Sequence, residues 1–203
     1  MRILKKKYEK GLSLIEASMV LALSAIVVSG VMFYYQSASD SNKTQNTISE
    51  VMSTIAAING LWVGQSDYTG LSASVLSHSS AIPASYKTTD GSIMNPFGGE
   101  LKVAPGTNAN KNKYAIVLTN VPQSACLNIA SMNLGTSLVG VGTGLADPEA
   151  AANMTPIDAK GETGGAAAAA AAAASGKLYK SITPVDASNI CGAGSNSVAF
   201  VMQ

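Results

Sequence analysis

The sequence predicts an α+β protein: one long N-terminal helix, apolar in its first half and amphipathic in its second, packed on a globular domain that holds an antiparallel sheet. Three observations predict it. Residues 12–35 form an apolar run with a single charge, Glu16, and no proline interrupts the chain before Pro83. Further on, short segments rich in β-branched or aromatic residues stand at 101–103, 114–119 and 197–202. Two cysteines, Cys126 and Cys191, lie among them.

The helix is introduced by a basic head, MRILKKKYEKG, in which Arg2, Lys5, Lys6, Lys7 and Lys10 face Glu9 alone; no Lys or Arg follows until Lys43. The 24 residues of 12–35, at about 1.5 Å each, are long enough to cross a hydrocarbon core of about 30 Å. The charge asymmetry holds the head in the cytoplasm and exports the rest. A secretory signal peptide is the plain alternative, but its apolar region runs about 7 to 15 residues. Here 17–35 is uninterrupted and a small-x-small site comes only at Ser37-Ala38-Ser39. A simple anchor leaves Glu16 unexplained, because an ionisable residue in a spanning helix costs a few kcal/mol and is retained for a partner or a function.

The junction residues, Gly11 followed by Leu12-Ser-Leu-Ile-Glu16, resemble the cleavage site of type IV prepilins. The resemblance implies that residues 1–11 are a leader, that a membrane-embedded aspartyl peptidase cuts after Gly11, and that the new amine of Leu12 is methylated. Cutting there removes five basic side chains and one acidic, taking the formal charge from +1 to −3. An α-amine titrates near about pH 7.7 to 8.0, so it carries a positive charge that can offset Glu16. The first and fifth positions of one helix share a face, so the spacing alone permits an intrahelical pair. The resemblance instead implies that Glu16 meets the Leu12 amine of a neighbouring subunit and sets its register.

Past Tyr35 the helical pattern continues with a different character. Ile48, Val51, Met52, Ile55, Ile58 and Trp62 recur at spacings of three and four, with Asp40, Lys43, Gln45, Asn46, Ser49 and Glu50 mostly elsewhere. Gly60 and Gly64 offer a stopping region, so a single helix over about 12–62 is expected, roughly 75 Å long. Gly30 weakens its apolar half by about 1 kcal/mol relative to Ala, and reads first as a close-packing position. The segment MVLALSAIVVSGVMFYYQSASDSNK from Met19, with ISEVMS, AINGL and NPFGGEL further on, resembles the bundle-forming pilins of the type IVb class. That resemblance is dense over the first third of the chain and faint near its end.

The exported part, low in charge and without repeats, is expected to form one compact domain. Asn95-Pro96 and Gly98-Gly99 mark turns before the first strand. Helices are expected at 124–134, ended by Gly135, and at 184–190, where Thr183 is an apt N-cap for Pro184. Asp147-Pro148-Glu149 and Thr155-Pro156 repeat that start signal. The resulting organisation is a leader 1–11, an apolar helix half 12–35, an amphipathic half 36–63 and a domain 64–203.

An even pair of cysteines on the oxidising side of a membrane is most simply a disulfide, here Cys126 to Cys191. The resemblance supports it, since these pilins carry a C-terminal disulfide loop. Inside that loop, nine alanines at 166–174 are bracketed by Gly-Gly and Ser-Gly. They are too few for a solitary helix, so a short docked helix or a surface loop is expected.

Other chemistry is thinly represented. Gly140, Gly142 and Gly144 lack the spacing and the acidic residue of a dinucleotide fingerprint, and read as a flexible or strand-edge segment. His78 is the only histidine and cannot make a His-based zinc site. Asp67, Asp90, Glu100, Asp147, Asp158, Glu162 and Asp186 are scattered in loops and helix starts, where capping and solvation account for them. Asn42-Lys-Thr44 and Asn153-Met-Thr155 match a glycosylation acceptor pattern. No cofactor or metal is expected, and a side-chain charge of −3 after cleavage argues against nucleic-acid binding.

The resemblance implies the major structural subunit of a type IVb pilus. It implies residence in the inner membrane as a prepilin, N-terminus cytoplasmic and C-terminal domain periplasmic, then assembly into an extracellular filament. The partners implied are identical subunits, the prepilin peptidase and methyltransferase, the inner-membrane assembly machinery, and host cells or neighbouring pili in adhesion and aggregation. A minor pilin, a secretion pseudopilin and a membrane-anchored enzyme are the competing classes. The last lacks any convergent acid, base and nucleophile.

Overall fold

The computed structural model describes residues 13–158 and 176–203. The Gly11–Leu12 junction, Glu162 and the alanine run at 166–174 lie outside the described residues. The chain divides into two compact units, Met1–Asp40 and Ser41–Gln203. Helix α1, Leu14–Leu61, begins in the first and ends in the second.

Among the described residues of the second unit six strands form one antiparallel sheet: β1 (Ile93–Met94), β2 (Glu100–Pro105), β3 (Tyr114–Pro122), β4 (Leu138–Thr143), β5 (Leu178–Tyr179) and β6 (Ser195–Met202), in the order β1-β2-β3-β6-β4-β5. Among the described residues four short α-helices accompany it: α2 (Ala73–Ser77), α3 (Gln123–Ala130), α4 (Pro148–Ala152) and α5 (Pro184–Ile190). The central strands bury both faces, so the two-residue period of a strand sorts their side chains into two cores. Tyr114, Ile116 and Leu118 pair with Met202, Phe200 and Val198 on one face. That face joins Val51, Ala57 and Ile58 of α1, Ile129 of α3 and Ile190 of α5 in the larger core. On the other face Ala115 and Val117 pair with Val201 and Ala199, and these small side chains accommodate Ala151 and Ala152 of α4 with Leu178.

Helix starts behave as their residues dictate. Thr183 and Asp186 form a reciprocal capping box with Pro184 in the first turn of α5. Asp147 caps α4 through the amides of Glu149 and Ala150. Helix α3 is shorter than the expected 124–134. The Ser131 hydroxyl donates back to Leu127 O and Asn128 O at 2.9 and 3.3 Å, and Asn133 Oδ1 accepts from the Gly135 amide at 2.9 Å. Such local polar bonds compete with helix continuation. Thr155-Pro156 opens no helix within the described residues; Ile157 instead forms a parallel bridge to Tyr179.

The glycine-rich segment at 140–144 is a second correction. Gly140 and Gly142 belong to β4, an inner strand between β6 and β5 rather than an edge. A Cβ on Gly140 would lie 2.8 Å from Leu178 Cγ, and one on Gly142 would lie 2.5 Å from Lys177 O. The glycines therefore admit the close approach of the β5 segment.

A third correction concerns the amphipathic half of α1. The buried residues are Thr44, Thr47, Glu50, Val51, Thr54, Ala57 and Ile58. Met52, expected in the core, is 53 % exposed, while Glu50, expected outside it, is 3 % exposed. Ile48, Ile55 and Trp62 pack at the margin. The seat of the helix is thus turned away from its most apolar line. Trp62 leads onto an aromatic series, with ring centroids 6.5 Å from Tyr68 and Tyr68 then 4.6 Å from Tyr114. This series ties the end of α1 to β3.

The Asn95 to Gly99 turn is held by one buried side chain. Asn95 Nδ2 donates to Thr119 O at 2.7 Å, and Oδ1 accepts from the amides of Phe97 and Gly99 at 2.9 and 3.1 Å. The partner carbonyl lies where the β3–β6 register shifts, between Leu118 and Val121, and Asn120 takes φ 58°. Any Cβ on Gly99 would fall 2.0 Å from Thr119 O, a backbone atom. Gly99→Ala is expected to cost about 3 kcal/mol, the upper range for single substitutions. Gly98→Ala, at φ 79° in open space, should cost only about 1 kcal/mol. Thermal unfolding of the two variants side by side checks this; equal losses would refute the steric account.

Candidate functional site

Two features of the described chain concentrate function: the apolar surface of α1 in the first unit, and the cystine that closes the C-terminal region of the second.

From Leu14 to Ser37 every residue of α1 is exposed. Leu14 is 91 % and Phe33 77 % exposed, and Ile15, Met19, Val20, Leu21, Leu23, Ile26, Val27, Val28, Val31 and Met32 share that condition. A soluble surface does not carry so large a contiguous apolar area without something to cover it. The helix is long and apolar enough to cross a membrane. Two of its hydroxyls are arranged for a dry environment. Ser18 Oγ donates to Ile15 O at 2.8 Å and Ser24 Oγ to Val20 O at 2.7 Å, so neither hydroxyl needs an outside partner. Glu16 stands in the first turn. It is exposed, and no group among the described residues is paired with it.

At the other end, Cys126 of α3 is bonded to Cys191, the residue after α5, with Cα atoms 6.0 Å apart and a sequence separation of 65. Both cysteines are buried. Neighbouring polar groups fix the backbone around them. Gln123 Nε2 donates to Cys191 O at 3.1 Å and Thr143 Oγ1 donates to Ile190 O at 3.0 Å. Asn196 then closes the turn into β6: its Oδ1 accepts from the Gly192 amide at 2.8 Å and its Nδ2 donates to Gly192 O at 2.9 Å. The sequence named the cysteines but not Asn196, nor Gln123 and Thr143, whose side chains act across separations that no local pattern reveals.

The remaining candidates take local structural roles. Asp67 accepts from the Thr69 amide and Asp90 from Thr88 and Ser92; these hydrogen bonds hold both carboxyls below their ordinary pKa. Glu100 pairs with Lys102, and Asp158 with Lys180. His78 follows α2 with Nδ1 2.7 Å from Ser74 O. Asn153 is occupied as an acceptor for the Thr107 amide and a donor to Glu149 O, and Thr44 of the other acceptor pattern is buried within a helix. Among the described residues no three of His, Cys, Asp and Glu converge on a common point.

Comparison with known proteins agrees with this layout. The family model for bundlin matches residues 36–183. The chain is 48 % identical over 205 residues to the major structural subunit of bundle-forming pilus from Escherichia coli O111:H- and to that from Escherichia coli O127:H6, with 100 % of this chain and 98 % of each relative covered. In fold it is similar to the type IV b pilin of Salmonella typhi, with TM-score 0.50 and 21 % identity over 79 % of this chain and 97 % of that one. It is likewise similar to TcpA, a type IV pilin from Vibrio cholerae El Tor biotype, with TM-score 0.50 and 19 % identity over 80 % and 99 % of the two chains. With its long N-terminal helix, antiparallel sheet and C-terminal cystine, the chain has the type IV pilin fold and belongs to the bundlin family.

Proposed function

We propose that this protein is the major structural subunit of a type IVb pilus, a homopolymer built through its N-terminal helix. The observation that carries this reading is the fully exposed apolar surface of α1 in the first unit, in a chain similar over its whole length to major subunits of bundle-forming pilus. An apolar helix has two environments that spare it water, the bilayer and a bundle of like helices, and assembly exchanges the first for the second.

On this reading the inner membrane holds the prepilin with its N-terminus cytoplasmic and its C-terminal domain periplasmic. Peptidase cleavage follows Gly11, Leu12 becomes the N-methylated first residue, and the assembly machinery docks subunits so that Glu16 of one neutralises the Leu12 amine of another. A buried ion pair of this kind serves register more than net stability. Adhesion, autoaggregation and microcolony formation follow from many surface copies acting together, since linked weak contacts gain affinity through effective concentration.

Electron microscopy of cells with and without the gene tests the assignment. Loss of all surface filaments, restored by a plasmid copy, is the expected result. Unchanged filaments would replace it with a minor pilin or a secretion pseudopilin.

A further inference from the structure

The seat of α1 in the second unit carries an unusual group. Along its buried face, Thr44, Thr47, Glu50 and Thr54 accompany Val51, Ala57 and Ile58. Thr47 Oγ1 donates to Lys43 O and Thr54 Oγ1 to Glu50 O, both at 2.8 Å. These hydroxyls therefore commit their protons to their own helix and leave none for the carboxyl between them. Glu50 is 3 % exposed and neither of its carboxyl oxygens has a hydrogen-bond partner among the described residues. No cation answers it: the described salt bridges are Glu100–Lys102 and Asp158–Lys180, and Lys43 is exposed.

A carboxylate buried without a donor or a cation is so costly that the group takes up a proton instead. Burial alone pushes the Glu50 carboxyl up to about 8, and no charged or titratable group from any element packed around it contributes. Tyr114, the buried phenol of the same core, is raised by its own burial and by Tyr68, not by Glu50.

We propose that Glu50 is a proton-binding element in the seat of α1, so that the second unit folds with a neutral Glu50 and holds that helix less firmly as its surroundings become alkaline. The direction follows from linkage. A carboxyl whose pKa is higher folded than unfolded binds more protons in the folded state between the two values. Its contribution is fully present below about 4.5, the unfolded value, and is lost as pH rises toward about 8. Asp67 and Asp90, whose pKa values are lowered, act with the opposite sign and only in stronger acid. Among the described groups with a displaced pKa, Glu50 alone titrates between pH 5 and 8.5.

The test uses the full chain in detergent micelles. The unfolding midpoint of the wild type should fall by about 5 to 10 °C from pH 5 to pH 8.5. Glu50→Gln, which keeps the shape and loses the titration, should flatten that slope and melt above the wild type at pH 8.5. Independently of any variant, the ¹³C carboxyl resonance of Glu50 in the wild type should titrate well above the ordinary carboxylate range. An identical pH slope in Glu50→Gln, or a Glu50 resonance that titrates near the value of a free glutamate, overturns the proposal.

Discussion

Replacing both halves of the cystine, Cys126→Ala with Cys191→Ala, is expected to lower the stability of the second unit by about 4 kcal/mol while leaving its topology in place. The number comes from loop entropy: a crosslink between residues 65 apart removes about 4 kcal/mol worth of conformations from the unfolded chain. A typical domain has only about 5 to 15 kcal/mol in total, so the change takes away a large share. The folded geometry is held by other means. Ala125 and Ile129 of α3 share a core with Ala187 and Ile190 of α5, and Gln123 holds the Cys191 carbonyl. Alanine is the right replacement because both sites are buried and serine would bring two hydroxyls in need of partners. Urea unfolding of the full chain in detergent, with amide spectra recorded in native conditions, measures both halves of the statement. An unchanged midpoint would show that the crosslink constrains nothing the unfolded chain explores; loss of the native spectrum would show that the bond creates the fold rather than closing it.

The cystine was legible because two cysteines on the exported side leave one pairing. Strands β2, β3 and β6 were legible for a related reason: their apolar residues are β-branched or aromatic and bounded by turn residues. Thr183-Pro184 marked α5 because a cap is a local device whose partners lie within three residues. What escaped the sequence depends on distant neighbours. Strand β4, Leu-Val-Gly-Val-Gly-Thr, has poor strand propensity, and only the approach of Leu178 and Lys177 explains its glycines. β1 and β5 are two residues each, too short to show a period. Periodicity found α1 but misjudged its seat, because periodicity measures where apolar residues lie on the helix and not which line the sheet presses against. Glu50 was hidden by the same error. Of the candidate site, the roles expected for Gly11, Leu12 and Glu16 came from the resemblance to type IV prepilins, and Gly11 and Leu12 lie outside the described residues.

Glu16 is the position at which a single substitution should have its greatest effect on assembly. Glu16→Ala is expected to leave the prepilin inserted, cleaved and disulfide-bonded, and to lower filament yield at least a hundredfold. A lone carboxyl in the apolar segment costs a few kcal/mol in a membrane, so deleting it makes insertion easier, not harder. In the proposed filament the balance reverses: if Glu16 pairs with the Leu12 amine there, its loss leaves that charged amine uncompensated in an apolar bundle, and breaking a buried pair from one side costs about 3 to 5 kcal/mol. At about 1.4 kcal/mol per factor of ten, that is about two to three and a half orders of magnitude at each docking step. Glu16→Gln separates charge from shape. If charge sets the register, Gln fails as Ala does; if a hydrogen bond to the amine suffices, Gln assembles. Subunit levels, N-terminal mass and non-reducing electrophoresis establish that each variant is processed, and electron microscopy counts filaments. Normal filaments from Glu16→Ala would remove the register role and leave Glu16 as a residue for recognition before assembly, at the peptidase or the machinery.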